Sequence, residues 1–417
     1  MFKNKILSIA FTLLIFGQSA ISQNNTNSPY TRFGYGDLSD SNSGEQRAMG
    51  GISIGSRSKY GINPVNPASY SVVDSMTFMF DIGIGGLVSK FSDNSGNKTS
   101  FNSNLEYITM LFPLSKKIGF SAGLLPYSFS GYNFYNSDTL LINNNKSTPD
   151  SGSYNSSFYG TGGISQVYSG LSVNLFNHIS LGANAYYMFG SLSNYRGLTF
   201  NTGTGYYSTL QRNAITINNF RLRYGVQFYN TFAKKHDINL GLIYEHKAKL
   251  NGTFSQITSS VLTDSLLPDN NFELPTIMGG GLHYTFDKKL TLGIDYTLQK
   301  WGEAKFFGKT DSLSNRTKFA LGAEYIPDPR GRKYYEKIRY RAGLNISNPY
   351  YKVDGVLPPK NFGITFGIGL PLRNSNTIVN ATFEYGKVGA TNMLREDYLK
   401  FTFNAAFNEN WFFKRKL

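Results

Sequence analysis

The 417-residue sequence predicts an all-β fold: a transmembrane antiparallel β-barrel of about fourteen strands whose lumen holds an N-terminal hatch, or plug. Three observations lead there. Segments that alternate apolar and polar residues recur along most of the chain, a secretory leader precedes them, and little else in the sequence offers a layer to cover their greasy side. In one such segment Leu292, Ile294, Tyr296 and Leu298 alternate with Thr291, Gly293, Asp295, Thr297 and Gln299. A strand sends successive side chains to opposite faces, so this segment has one apolar and one polar surface. Lipid outside, a polar lumen inside and a sheet closed on itself satisfy both surfaces and leave no edge unpaired.

The leader comes first. Lys3 and Lys5 form a positive n-region, Ile6 to Phe16 an apolar core of roughly eleven residues, and Ala20-Ile21-Ser22 a small-residue site for cleavage before Gln23, so residues 1–22 read as a signal peptide. Composition agrees with export to a membrane crossed by strands. The chain has 43 Gly, 29 Tyr and 33 Phe but only 16% charged residues. Its mean hydropathy of -0.28 is too polar for a helical membrane protein. No stretch beyond the leader approaches the ~20 apolar residues of a spanning helix. Cys is absent, which excludes disulfides, thiolate catalysis, cysteine-ligated metals and a lipoprotein anchor. The formal charge of +15 would suit nucleic acid, but the leader carries the protein away from it.

Residues 23–75 form the expected hatch. They are about fifty residues, too many for an idle tail, and rich in Gly, Asn and Pro, with Tyr35-Gly36-Asp37, Met49-Gly50-Gly51 and a run from Gly61 to Tyr70. Phe33, Tyr35, Met49, Ile52, Ile54 and Tyr70 make the segment too apolar for disorder, so a loop-rich element with one short helix is expected.

The barrel is expected over residues 76–406, with strands near 76–90, 101–112, 118–132, 165–175, 179–189, 218–232, 237–246, 276–286, 291–300, 317–326, 340–347, 361–370, 377–385 and 398–406. Residues 407–417 form a basic periplasmic tail ending in Lys414-Arg415-Lys416. The phase is clear where Ile179, Leu181, Ala183, Ala185 and Tyr187 oppose Ser180, Gly182 and Asn184, and where Val379, Ala381 and Phe383 oppose Asn380, Thr382 and Glu384. Turning the apolar set outward leaves Glu245, Asp295, Lys318, Glu324, Arg339, Arg341 and Glu384 in the lumen. A gripped hatch needs these charges to pair with groups such as Arg32, Asp37, Asp40, Glu45 and Arg47.

Connections divide into two kinds. Short ones carry Lys116-Lys117, Lys234-Lys235, Lys288-Lys289, Arg330 with Arg332 and Lys333, and Arg373. Long ones, such as 136–157 and 193–212, are Asn, Ser, Thr and Gly rich. Outer-membrane barrels have short periplasmic turns and long outer loops, so the basic turns belong to the periplasmic rim, as contacts to anionic headgroups or as solvated turn residues.

No catalytic constellation, cofactor motif or metal site stands out. The His residues, His178, His236, His246 and His283, lie scattered over separate strand ends, without zinc-ligand spacing.

Asn66-Pro67-Ala68 just before the first strand, within the wider hatch motif of Asn63, Pro64, Asn66, Pro67 and Ala68, together with Met49-Gly50-Gly51 and the leader-hatch-barrel order, resembles the FadL/TodX family of outer-membrane transporters. Ser28-Pro29-Tyr30-Thr31-Arg32-Phe33-Gly34 and Trp411-Phe412-Phe413-Lys414-Arg415-Lys416 look like the Bacteroidota branch, to which PorV of type IX secretion is related. The resemblance implies an outer-membrane location and diffusion of hydrophobic compounds, typified by long-chain fatty acids, with lateral exit where a strand is kinked. Pro126 is the candidate kink, since proline removes a ladder donor; its bland alternative is a proline at the rim where pairing ends. The expected partners are outer-membrane lipid, hydrophobic small molecules or other envelope proteins. A rival reading is a non-transporting accessory or scaffold subunit of an envelope machine, in type IX secretion, barrel assembly or surface lipoprotein export.

Overall fold

The computed structural model describes residues 26–93, 96–141, 151–200, 208–258, 261–266, 272–353, 355–373, 375–389 and 394–410. The expected leader and cleavage site, and the expected tail from Trp411 to Leu417, lie outside the described residues.

Fourteen antiparallel strands form the wall, in chain order β1 (Thr77–Asp93), β2 (Gly96–Ser115), β3 (Ile118–Leu141), β4 (Ser151–Leu175), β5 (Ile179–Phe200), β6 (Thr209–Phe232), β7 (His236–Glu245), β8 (Ile277–Phe286), β9 (Leu290–Gln299), β10 (Arg316–Tyr325), β11 (Arg339–Ser347), β12 (Asn361–Pro371), β13 (Ile378–Val388) and β14 (Arg395–Asn410). Each pairs with its sequence neighbour, β7 pairs with β8 across the longest connection, and β14 pairs with β1 to close the ring. A hairpin of Asn251–Thr258 and Val261–Leu266 extends the sheet from the upper part of β6.

Side-chain parity sets which surface is which. Leu292, Ile294 and Tyr296 are 45%, 39% and 50% exposed on the outside, whereas Asp295 between them is 4% exposed. The ring is therefore an outer-membrane β-barrel, with its apolar face toward lipid.

The strands run further than their apolar stretches. β3, β4 and β6 have 24, 25 and 24 residues, while crossing the hydrocarbon takes about 9–11. The segments 136–157 and 193–212, expected as polar outer loops, are largely strand: β3 continues to Leu141, β4 starts at Ser151, β5 reaches Phe200 and β6 starts at Thr209. Ladder hydrogen bonds do not require an apolar face, so Ser, Asn and Thr continue the sheet above the membrane where no hydropathy pattern marks it. Likewise β14 runs on to Asn410, past the expected tail boundary at residue 407.

At the opposite end the turns are tight. Phe176-Asn177, Ala233-Lys234 and Asp287-Lys288 each place two successive residues at positive φ, between 46° and 62°. That is the type I′ geometry whose twist matches the flanking strands.

The N-terminal segment lies within the ring. It contains short 3-10 turns at Pro29–Arg32 and Pro67–Val72, a two-residue strand at Asp37–Leu38 and one four-residue α-helix, Gly44–Arg47. At one end Ile62 and Tyr70 join Met79, Tyr107, Leu111 and Tyr168 of the wall in an apolar cluster. At the other, outer connections fold over Tyr35, whose ring lies 5.6 Å from Trp301 and 5.1 Å from Phe306.

Candidate functional site

Asn63 and Asn66 hold the Asn-Pro turns in shape from inside. The Asn63 side chain donates to the carbonyls of Ser53 and Ser56 at 2.7 and 3.0 Å and accepts from the amides of Val65 and Asn66. Asn66 is fully buried; it donates to Ile54 O at 2.7 Å and accepts from Ala68 N at 3.1 Å. The Pro64 carbonyl takes hydrogen bonds from Asn184 and Tyr186 of β5. Pro67 and Ala68 lie so close to β5 that a Cβ at Gly182 would collide with their backbone. Upstream, Gly50 has φ +72° and donates to Thr365 Oγ1 at 2.8 Å, pressed where a Cβ would strike the Leu321 and Leu344 backbones.

Each lumen charge has a partner, several of them in this segment. Glu245 takes both Arg221 and Arg223 in buried ion pairs, and Arg223 also reaches the Val65 carbonyl at 3.2 Å. Asp295 Oδ2 accepts the backbone N–H groups of Ser53 and Ile54 at 2.6 and 2.7 Å. Lys318 pairs with Asp40, and Arg316 stands 3.8 Å from the same carboxylate. Glu324 accepts from Arg341 Nε at 2.7 Å and Arg339 Nη1 at 3.2 Å, while Arg341 Nη2 lies 3.8 Å from Glu45. Glu384 accepts from the Tyr398 hydroxyl at 3.1 Å. Arg47 meets Glu106 at 2.8 Å, and Lys400 meets the same carboxylate at 2.9 Å. Arg32 and Asp37 depart from this pattern: Arg32 lies over the rings of Phe158 and Phe134, and Asp37 meets the wall through its backbone opposite Phe129. Burial alone would push the Asp40 carboxyl up, but the Lys318 and Arg316 cations outweigh it and hold the group below the usual carboxylate range.

Arg221 and Arg223 were legible in principle, since they alternate with Phe220, Leu222 and Tyr224 as regularly as Asp295 does with its neighbours. Glu106 was not. The β1–β2 register passes from Gly83↔Tyr107 to Ile84↔Leu105, so Glu106 is an extra residue bulged inward against the phase of Ile108 and Met110 that follow it. His283, expected near a strand end, is mid-strand in β8 and buried; among the described residues no cluster that could hold a metal is present.

The wall has a seam. β2 pairs with β3 only from Ser115↔Ile118 to Ile108↔Leu124, and above Leu124 that edge of β3 has no wall partner. Pro126 sits at this point, where the β3–β4 register shifts between Pro126 and Ser128. The freed edge is taken by the N-terminal segment: Leu38 and Asp37 pair with Ser128 and Phe129, and Ser39 N donates to Tyr127 O at 2.9 Å. Higher up, Thr31 Oγ1 exchanges two 3.1 Å hydrogen bonds with the Gly131 backbone, and Asn27 bonds Asn102 of β2 at 3.0 Å. Both lips of the seam are thus bridged. A cavity of about 210 Å³ remains behind the segment, with Asp40, Arg316, Lys318, Glu384 and Lys400 among its lining and Tyr350 at its edge.

Solved structures with this architecture include the toluene transporter TbuX of Ralstonia pickettii, at 13% identity over 88% of this chain and 97% of that one with a TM-score of 0.57. The toluene transporter TodX of Pseudomonas putida matches at 16% identity over 90% and 99%, TM-score 0.58. A FadL homologue of Pseudomonas aeruginosa matches at 14% identity over 90% and 99%, TM-score 0.57. At these identities the likeness establishes a FadL/TodX-type barrel fold. No curated protein matches in sequence. The model of one family, described as BamG, matches residues 1–417, and with the whole chain matched the protein belongs to the BamG family.

Proposed function

We propose that this chain is a non-transporting barrel subunit of an outer-membrane machine of Bacteroidota, with barrel assembly as its first assignment and a hatch, residues 26–73, that keeps the lumen shut. The observation that carries this reading is the seam. Where a FadL-type conduit would need a gap to lipid, backbone pairing at Leu38–Ser128 and Ser39–Tyr127 and the Thr31–Gly131 bridge fill it with this chain's own residues. The space behind is lined by paired charges, a costly route for a greasy solute. Membership of the BamG family is compatible with this reading and with a conduit. Type IX secretion, where PorV works, and surface lipoprotein export are the other machines such a subunit would suit.

The second reading, a conduit for long-chain fatty acids or similar hydrophobic compounds, rests on the ladder break at Pro126 and on the fold shared with toluene transporters. One experiment separates the two. The chain has no Cys, and Leu38 and Ser128 are opposed Cα partners in an antiparallel pair, within disulfide range. Leu38→Cys with Ser128→Cys, oxidised in cells, locks the segment to the wall. The locked barrel is expected to co-purify with a stoichiometric set of envelope partners and to sustain outer-membrane barrel biogenesis at the wild-type level. Uptake of a labelled fatty acid that is lost on oxidation and regained on reduction would overturn the sealed reading.

A further inference from the structure

The six connections at the tight-turn end are β2–β3, β4–β5, β6–β7, β8–β9, β10–β11 and β12–β13, and by the short-turn rule this end is the periplasmic rim. Five of the six carry cations: Lys116 and Lys117, Lys234 and Lys235, Lys288 and Lys289, the group from Arg330 to Lys337, and Arg373. Among the described residues none of these side chains forms an ion pair. Cations at the opposite end do, as in Lys247–Glu273, Lys300–Glu303 and Arg395–Asp397. Outward aromatic rings lie at the rim or just membrane-ward of it: Phe176 in the β4–β5 turn, and Phe232, Phe286, Tyr325 and Tyr340 at strand ends, from 40% to 83% exposed.

We propose that this rim is a binding belt for anionic phospholipid headgroups of the inner leaflet. The aromatic row marks the depth of the membrane interface, so the cations beyond it, such as Lys234 just past Phe232 and Lys288 just past Phe286, stand at headgroup level. A phosphodiester there meets exposed ammonium and guanidinium groups that have no internal counter-charge to displace. The belt includes an open notch of about 730 Å³ where Arg332, Lys337 and Arg373 converge with Tyr334 and Asn376, facing the single carboxylate of Glu409. The cations are spread around the ring, on five of its six turns. That spacing suits an annulus of small anionic ligands better than one acidic protein, which would gather its cations on one side. The belt does not depend on whether the lumen is sealed.

The test uses the full mature chain in nanodiscs of mixed phosphatidylglycerol and phosphatidylethanolamine, reading the ratio of the two lipids retained after detergent stripping. The variant Lys116→Gln, Lys117→Gln, Lys234→Gln, Lys235→Gln changes only exposed turn residues, and a second variant, Arg332→Gln, Lys337→Gln, Arg373→Gln, changes the notch. Each cation near an anionic surface is worth roughly a fivefold change, so either variant should lower the phosphatidylglycerol excess at least about tenfold. High salt should lower it in the wild type as well. Wild-type and variant barrels that keep the same lipid ratio would overturn the belt. So would equal retention of both lipids by the wild type combined with rim-dependent capture of polyglutamate, which would reassign the rim to an acidic protein.

Discussion

Asp295 offers the sharpest test of how the lumen is held closed. Its carboxylate projects inward from β9, 4% exposed, and Oδ2 accepts the backbone N–H groups of Ser53 and Ile54 at 2.6 and 2.7 Å. Asp295→Ala removes the acceptor for both donors in a place with little access to water. An unsatisfied buried donor costs about 1–3 kcal/mol, so losing both weakens the hold on residues 52–55 by roughly 2–6 kcal/mol. Taking about 3 kcal/mol as working value, local opening becomes some hundredfold more frequent, since every ~1.4 kcal/mol is a factor of ten. Asp295→Asn keeps one amide oxygen as acceptor and loses the charge, so roughly half that effect is expected. Hydrogen exchange followed by mass spectrometry reads this directly on peptides covering Ser53 and Ile54. Peptides from β12 and β13 serve as the internal control, because the wall ladder there does not depend on Asp295. Exchange at Ser53 and Ile54 that stays within about twofold of wild type in Asp295→Ala would refute the claim that this carboxylate pins the segment.

Two further outcomes follow from the same geometry. Replacing Pro126 with Val should leave labelled fatty acid uptake unchanged at equal surface expression, because the Tyr127 carbonyl beside it is already bonded to Ser39; a fall in flux would return the kink to a conduit mechanism. Glu245→Gln strips the counter-charge from Arg221 and Arg223 together and should cost about 3–5 kcal/mol, seen as a lower midpoint of heat-modifiable mobility on gels; an unshifted midpoint would mean that Gln166 and the Val65 carbonyl suffice for the two guanidinium groups.

What could be read from the sequence was parity. Wherever a strand crosses lipid, alternation around residues such as Ile294 and Asp295 fixes the side to which each residue points, and hence the inward set from Glu245 to Glu384. The upper halves of β3 to β6 were hidden because neither of their faces needs to be apolar above the membrane. The seam was half visible: Pro126 marks a broken ladder, but only tertiary pairing shows that Leu38 and Ser39, some ninety residues earlier, occupy the break. Glu106 stayed hidden because a bulge changes parity by one, the very quantity such a reading uses. The Asn63 and Asn66 networks were hidden too, since an Asn-Pro pair signals a turn without saying which carbonyls its amide will meet.

The interior segment also sets an order of events. Ser28 bonds Glu396, 368 positions later, and the same stretch touches β2, β3 and finally β14. The segment from Ser28 onward, early in the chain, is therefore among the last to find all its neighbours, and the final hairpin must shut around a thread already lying in place. Until β14 docks, Ser28 lacks Glu396 and the ring stays open, so threading and closure finish as one cooperative step.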